Sequence, residues 1–285
     1  MLDPRLLRAF VAIADAGSFT AAAERLNMTQ STISQQLARL EDTVGHPLID
    51  RVARPVQPTA AGERLLGYAR RILTLQQEAE TVLADPAGTT SIRIGLPEDI
   101  ITREMAAIFA AFAKSHRSIR LDVVAGLSRI LTRRYRAGEF DIVVVKEPAA
   151  SSDNRASFPE AMAWFESADA PEAWPDPIPL VTFPPGGLYR ESMFERIERE
   201  RRRWYIAFSG SSLHNVIVGV EVGLGVSLLP VGATSGRHVR RYAPFGMETS
   251  MVASIYAWET TGPVSQLVEE MGAVLAARFK ISGQV

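Results

Sequence analysis

Residues Ser18-Phe-Thr-Ala-Ala-Ala-Glu-Arg-Leu-Asn-Met-Thr-Gln-Ser-Thr-Ile-Ser-Gln-Gln-Leu-Ala-Arg-Leu-Glu41 read as two short helices joined by a tight turn. Ser18 is placed to cap the first helix and Thr29 the second, because short hydroxyl side chains accept the orphan N–H groups of a first helical turn. Between them Asn27 can take the left-handed conformation that ends a helix, a role usually filled by glycine. The Ala21-Ala22-Ala23 run lets a neighbouring helix approach closely. At about 100° per residue the second helix puts Ile33, Leu37, Leu40 and Val44 on one side. Ser31, Ser34, Gln35 and Ala38 fall on the other, with Gln30 at the leading end. This pattern is a helix-turn-helix, a unit whose second helix fits the DNA major groove. The expected contacts are Gln30, Ser31, Thr32, Ser34, Gln35 and Ala38: hydroxyls and amides reach base edges and phosphates, and alanine leaves room for the groove wall. The alternative is a solvated polar face on an ordinary three-helix domain.

Working outward, Asp3-Pro4 is a cap followed by a first-turn proline. Leu7, Phe10, Val11 and Ala14 then repeat as a buried helical stripe that Gly17 stops. Downstream, His46-Pro-Leu-Ile-Asp-Arg-Val-Ala-Arg-Pro-Val-Gln-Pro58 is short, Pro-rich and β-prone. It reads as a wing, with Arg51 and Arg54 available to the DNA backbone or minor groove. Thr59 caps a long helix on which Leu65, Tyr68, Ile72, Leu75, Ala79 and Val82 alternate by three and four, the spacing of a two-stranded coiled-coil seam. Some 25 residues of helix span about 40 Å, more than so small a domain can cover. A dimerisation helix is expected; packing along its own C-terminal region is the alternative.

The 285 residues are 47% hydrophobic and 22% charged, enough for two or three packed cores and incompatible with a disordered chain. The absence of Cys removes disulfides, thiolate metal sites and cysteine nucleophiles together. No basic-then-apolar leader opens the chain and no apolar run approaches the roughly 20 residues needed to cross a bilayer, so a cytoplasmic protein without membrane contact is expected. Net charge is −1, and residues 1–84 carry nine Arg against nine acidic residues. The sequence-independent electrostatic attraction to DNA should therefore be modest. Useful affinity would come from base contacts and from several copies acting together.

Beyond a hinge composition at 85–90 (Asp85-Pro-Ala-Gly-Thr-Thr90) strands alternate with helices. Strands are expected at Ser91–Gly95, Ile119–Val124 and Asp141–Val145, with helices at 99–113 and 128–138. A polar, Pro-rich stretch from Ala149 to Pro179 interrupts the pattern. It resumes with strands at Ile178–Phe183, Tyr205–Phe208 and Gly225–Leu229, helices near 187–203 and at Ser212–Val222, and a last helix after Pro263. This order implies an α/β fold with a parallel sheet.

Residues 2–84 resemble the winged helix-turn-helix of LysR-type transcriptional regulators. The match runs through Leu7, Phe10, Gly17-Ser18-Phe19-Thr20-Ala21-Ala22, Leu26, Ser34, Leu40-Glu41, Gly45, Pro47-Leu48, Asp50-Arg51, Arg54 and Thr59-Ala60-Ala61-Gly62. Three positions depart from the family's pattern. Ile49 replaces the usual Phe and Pro58 the common Leu, which bears on wing packing. Gln35 replaces a frequent Arg, which bears on base preference. The remainder is similar to the family's periplasmic-binding-protein-like effector domain, two α/β lobes sharing a cleft. Its landmarks are Ile94-Gly95, Gly138-Glu139-Phe140-Asp141-Ile142, Ile178-Pro-Leu-Val181, Val222-Gly-Leu-Gly-Val226 and Leu229-Pro230. Gly95-Leu-Pro-Glu-Asp99 and Pro179-Leu-Val…Arg190 lean toward the branch governing motility and exported virulence functions.

The resemblance implies a DNA-binding domain at 1–58, a linker or dimerisation helix at 59–84, the hinge, and an effector domain at 91–285. Lobe I would take about 91–160 and 264–285, and lobe II about 161–263. It further implies double-stranded DNA, a small-molecule effector, RNA polymerase and further copies of the chain, as homodimer or homotetramer, for partners.

Ligands in open α/β sheets sit outside the carboxyl ends of the strands. Here that points to Pro97, Glu98 and Asp99, to Gly126 and Ser128, to Lys146, and to Ser209, Ser211 and Ser212; the family's effector loops are the same ones. Each taken singly has a plainer role, since Asp99, Ser128, Ser211 and Ser212 are also placed to cap helices. Glu98 and Asp99 as unpaired carboxylates would repel an acidic ligand, so the expected effector is neutral or cationic, or turns its acid end toward Ser128 and Ser209–Ser212.

An enzyme is not expected. The four His (46, 116, 214 and 238) lack metal-ligand spacing and no Ser lies in a nucleophile elbow, so no catalytic residue, metal or cofactor is assigned. Gly223-Leu-Gly225 enters a strand from a helix, the reverse of the dinucleotide-binding order. The Arg199–Arg203 cluster is interleaved with Glu195, Glu198 and Glu200 and reads as a solvated face rather than a second nucleic-acid contact. A ligand-independent DNA-binding regulator, controlled by its abundance, stays open as the second reading.

Overall fold

The computed structural model describes residues 2–84, 90–246 and 248–282, the side chains at 78, 81, 82, 84 and 280–282 excepted. The chain forms two compact units: Met1–Thr90 with Arg134–Phe140, and Ser91–Arg133 with Asp141–Val285.

The first unit is built from α1 (Pro4–Ala16), α2 (Phe19–Arg25), α3 (Gln30–Val44), the two-residue strands β1 (Ile49–Asp50) and β2 (Gln57–Pro58), and α4 (Ala60–Ala84). Its turns are set by the residues that predict them. The Asp3 carboxylate accepts the Arg5 N–H at 2.8 Å. The Ser18 hydroxyl accepts from Ala21 N–H at 3.4 Å and the Thr29 hydroxyl from Thr32 N–H at 3.2 Å. Asn27 is left-handed, at φ +52°.

Leu7, Phe10, Ile13, Ile33, Leu37 and Leu40 are fully buried between the helices. Val11 and Ala14 are only partly buried, while Ala9 and Ile13 are buried in their place. The reason is that α1 packs against α2, α3 and α4 at once and so buries a wider arc than one stripe. A cap contributes about 1 kcal/mol and a buried Leu, Ile or Phe about 1.5–3 kcal/mol. The core therefore holds the unit together, and the caps fix where each helix begins.

The wing pairs antiparallel, Ile49 with Pro58 and Asp50 with Gln57. Two joints fasten it. The Thr59 hydroxyl donates to Pro47 O at 2.7 Å and accepts from Gly62 N–H at 3.1 Å. Gly62 lies so close to the wing that a Cβ there would stand 2.0 Å from Leu48 O.

The second unit comprises β3 (Thr90–Leu96), α5 (Arg103–Ser115), β4 (Ile119–Ala125), α6 (Ser128–Arg136), β5 (Ile142–Glu147), β6 (Ala156–Glu160), β7 (Met162–Ser167), β8 (Ile178–Thr182), α7 (Leu188–Arg199), β9 (Trp204–Ser209), α8 (Leu213–Glu221), β10 (Ser227–Pro230), β11 (Val239–Arg241), β12 (Met251–Ala257) and α9 (Gly262–Ser282). Of the hinge expected at 85–90, residues 85–89 lie outside the described residues and Thr90 opens β3.

One sheet has the order β4-β3-β5-β12-β6 and packs with α5 and α9 over a core including Ile94, Leu96, Phe112, Ile255, Leu267 and Met271. The other lobe contains β10-β7-β11 and the parallel pair β8-β9. Its core gathers Trp164, Phe165, Phe245, Met193 and Val216 with α7 and α8.

Four expectations are corrected. The first sheet is mixed, because β12 lies antiparallel between β5 and β6. That strand belongs to the first sheet, so a lobe II running to 263 is too long. The Pro-rich stretch is no interruption, since it holds β6 and β7; Pro159 is tolerated because β6 is an edge strand, where a missing N–H breaks no ladder. Finally, the helix expected at 99–113 is a 3-10 turn, Glu98–Ile100, followed by α5, whose start is set by the Thr102 hydroxyl accepting from Met105 N–H at 3.3 Å.

Candidate functional site

On the outer side of α3, Gln30, Ser31 and Gln35 are exposed, while Thr32, Ser34 and Ala38 are partly buried. The Thr29 hydroxyl lies 2.8 Å from both the Ser31 and Thr32 hydroxyls, so the leading turn presents a connected hydroxyl cluster. Arg51 donates to Glu41 Oε2 at 2.8 Å and its guanidinium lies 5.8 Å from the Phe19 ring centre. Arg54 curls over its own loop, donating to Arg51 O at 2.8 Å and Ala53 O at 2.9 Å. Both are exposed, and each is also tied to a neighbour within the wing or α3. A guanidinium has five N–H donors, so each keeps some for another partner.

Along α4, Leu66 and Ala69 turn into the domain core, and Leu65 and Ile72 pack partly against it. Tyr68 (61%) and Leu75 (43%) stay exposed, as does Ala79; the Val82 side chain lies outside the described residues. The apolar repeat is thus divided between the domain's own core and an uncovered outer face.

In the second unit a cavity of about 380 Å³ is lined from both lobes. Pro97, Glu98, Asp99, Gly126, Ser128, Lys146, Ser211 and Ser212 all border it, as the strand-end rule predicts. Ser209 does not: it ends β9, exposed, beside Thr182. The sequence reading misses the apolar wall of Leu127, Ile130, Phe183, Leu188 and Leu213, and Tyr189. Phe183 follows β8, so applying the same rule to that strand finds it.

Lys146 is the centre of the polar wall. Its ammonium donates to Asp99 Oδ2 at 2.7 Å and to Glu160 Oε1 at 2.8 Å, with side-chain exposures of 4% for the lysine and 3% for Glu160. The Tyr189 hydroxyl donates to Glu160 Oε2 at 3.3 Å, and Arg278 donates to Asp99 Oδ2 at 3.1 Å. Burial alone would pull the lysine pKa down, but the surrounding acidic groups, Asp99 foremost, push it well above the ordinary value. Burial likewise opposes ionisation of Asp99, and the charge of Lys146 outweighs it, so that carboxyl sits below its usual range. Burial raises the Tyr189 phenol, which stays protonated. Asp99 is therefore not the unpaired carboxylate expected from sequence; of that acidic pair only Glu98 is exposed. Glu160 was not foreseen because β6 was hidden in the Pro-rich stretch.

The two hydroxyls at the helix starts are already accepting. Ser128 Oγ takes the Lys146 backbone N–H at 2.9 Å, and Ser212 Oγ caps α8 by taking Asn215 N–H at 3.2 Å. Each therefore keeps its own O–H to donate.

The chain matches the family model for bacterial regulatory helix-turn-helix proteins of the lysR family over residues 4–63, and that for the LysR substrate binding domain over 87–280. It is 31% identical over 228 residues to the HTH-type transcriptional regulator DgdR of Burkholderia cepacia, covering 80% of this chain and 78% of that protein. It is also 31% identical over 254 residues to BudR of Raoultella terrigena, covering 82% and 86%. Among solved structures it resembles full-length LysG of Corynebacterium glutamicum with bound effector Arg (TM-score 0.59, 19% identity, 97% and 99% covered). ArgP of Mycobacterium tuberculosis is similar (TM-score 0.56, 22% identity, 97% and 98% covered). These two likenesses show the shared fold. With both domain models matched in order along most of its length, the chain belongs to the LysR family of DNA-binding transcriptional regulators.

Proposed function

We propose that this regulator reads DNA through the outer face of α3, with Gln30, Ser31, Thr32, Ser34, Gln35 and Ala38 in the groove and Arg51 and Arg54 beside it, and that a small molecule in the Lys146 cavity controls it. The observation carrying this reading is that one chain holds both an exposed, uncharged polar helix face and a metabolite-sized cavity, at the small end of ligand pockets of about 300–1,000 Å³. The protein works in the cytoplasm, where bacterial DNA lies, and no helix among the described residues is long and apolar enough to cross a membrane. It works as a homodimer or homotetramer. The exposed face of α4 supports one pairing, and Tyr205 and Ile206 on β9 with Val218 on α8 and Val222 just after it, all exposed, support a second through the effector unit. Ligand binding changes lobe geometry, hence the spacing of DNA-binding units, hence contact with RNA polymerase. A ligand does this only through different affinity for the two arrangements.

The test is selection of genomic DNA fragments on the full chain, followed by footprinting with and without stabilising metabolites. The expected footprint has two half-sites a whole number of helical turns apart, with protection that a cavity-bound compound alters. Enrichment of no sequence over random DNA overturns the DNA-reading assignment. A specific footprint that every stabilising compound leaves unchanged favours the ligand-independent alternative.

A further inference from the structure

The charges around the cavity cancel in an unusual way. Lys146 is the basic side chain of the wall, and an ammonium has three donors. Asp99 and Glu160 take two of them, and Tyr189 lies alongside, its ring centre 5.9 Å from the Lys146 nitrogen. Asp99 is shared with Arg278. Within this cluster two cations and two carboxylates therefore balance, and among the described residues lining the cavity an entering anion finds no uncompensated positive side chain. Glu98, exposed on the same wall, makes no ion pair among the described residues. The surplus charge is negative.

The remaining polar groups ask for something else. Ser128 and Ser212 each hold an O–H ready to donate, so the ligand carries a hydrogen-bond acceptor. Leu127, Ile130, Phe183, Leu188 and Leu213 surround it with hydrocarbon. Moving a net negative charge out of water into such a wall, beside Glu98, has a desolvation cost that no free cation among the described lining residues offsets.

We infer that the cavity selects small molecules without net negative charge: a compact apolar body, an acceptor directed at the Ser128 and Ser212 hydroxyls, and a donor or cationic group directed at Glu98, a description that neutral amides, amines bearing an acceptor and zwitterions satisfy. Lys146 in this scheme is no anchor for a ligand's acid group; it ties β5 to the strand end at Glu160. The inference rests on the cavity being the effector site.

The experiment is a thermal-shift screen of the full chain against small metabolites sorted into net-neutral, cationic and anionic sets, repeated on three variants. Ile130→Trp narrows the cavity from a position that is 43% exposed, where a larger ring is accommodated at little cost to folding; Leu188→Trp serves if it fails to fold. Glu98→Gln removes the surplus charge, and Glu160→Gln leaves Lys146 with one carboxylate fewer. Stabilising compounds are expected only in the neutral and cationic sets. They should lose their effect in Ile130→Trp, and those with an ammonium group should bind about ten-fold more weakly in Glu98→Gln. Glu160→Gln should begin to respond to carboxylates, a gain that a damaged protein would not show. An anionic compound that stabilises the wild type, but not Ile130→Trp, overturns the inference while leaving the effector reading intact. Failure of Glu160→Gln to gain carboxylate binding also counts against it. If no compound of any class acts, the effector reading falls and the inference falls with it.

Discussion

Arg51 Nη2 donates to Glu41 Oε2 at 2.8 Å, and the other oxygen of the same carboxylate accepts the Leu48 N–H at 2.8 Å. Glu41 thus fastens the wing to the last turns of the helix proposed to read DNA. Its side chain is 15% exposed, so this is more than a surface ion pair. Replacing it with alanine leaves the Leu48 N–H without its charged acceptor, a loss of about 1.5–3 kcal/mol. Urea unfolding of the full chain checks this. A cost below about 0.5 kcal/mol would place the contact among exposed pairs that contribute little.

Gly62→Ala should fail for a different reason. The added methyl overlaps the Leu48 carbonyl oxygen, whereas alanine in an open helical position would stabilise. Either α4 or the wing must shift, at a cost of about 1–3 kcal/mol or more. Operator affinity should fall with it. Unchanged melting temperature and affinity in the Gly62→Ala variant would show that the joint is slack.

Lys146→Met leaves Glu160 buried without its cation and Asp99 with Arg278 alone. Breaking a buried pair in this way costs about 3–5 kcal/mol. Combining it with Glu160→Gln should recover much of the loss, because the lysine and glutamate charges then vanish together while Asp99 keeps Arg278. A double variant no better than the single would show that packing of the lysine stem, rather than charge balance, is what matters.

Asp99 and Lys146 also give the effector unit a pH dependence at the two ends of the scale. The Asp99 pKa is lowered on folding, so its contribution is present above the ordinary value of 3.8 and is lost as pH falls through the lower folded value. The Lys146 pKa is raised, so its contribution is complete below 10.5 and is lost only as pH rises through the higher folded value. Between pH about 5 and 9 Asp99 and Lys146 should add no slope to stability. Thermal melts of wild type and Asp99→Asn across pH 2–10 test this. Their difference should be constant through the neutral range and shrink only below about pH 4.

Ser34→Ala and Gln35→Ala should each weaken specific operator binding by about 1–3 kcal/mol per lost base contact, with little change in binding to random DNA. Equal affinity of both variants for the operator would remove them from the reading face. On α4, Tyr68→Glu and Leu75→Glu place charge on the uncovered face and should lower the oligomer's mass in sedimentation. Retained assembly in both would shift the pairing elsewhere.

The helix-turn-helix was legible because its signals are local: Ser18, Asn27 and Thr29 each act within a turn of themselves. The cavity loops were legible because the strand-end rule needs only the order of elements, and eight of the nine named residues line the cavity. What stayed hidden is long-range. Nothing near β12 in the sequence says that it inserts between β5 and β6, and Glu160 meets Lys146 only because that insertion builds the sheet. The divided repeat of α4 was half legible, since periodicity names a face but cannot say which apolar residues the helix's own domain takes.

The joint at Gly62 and Thr59 makes the wing and the long helix one lever. The wing has no independent swivel, because its base is held by the Thr59 hydroxyl and by the close passage of the helix backbone over Leu48. In a dimer joined along α4, the gap between the two wings is then dictated by how the helices cross. A protein paired in this way would measure its DNA like a calliper, and mutations far up the handle should then change the span it measures.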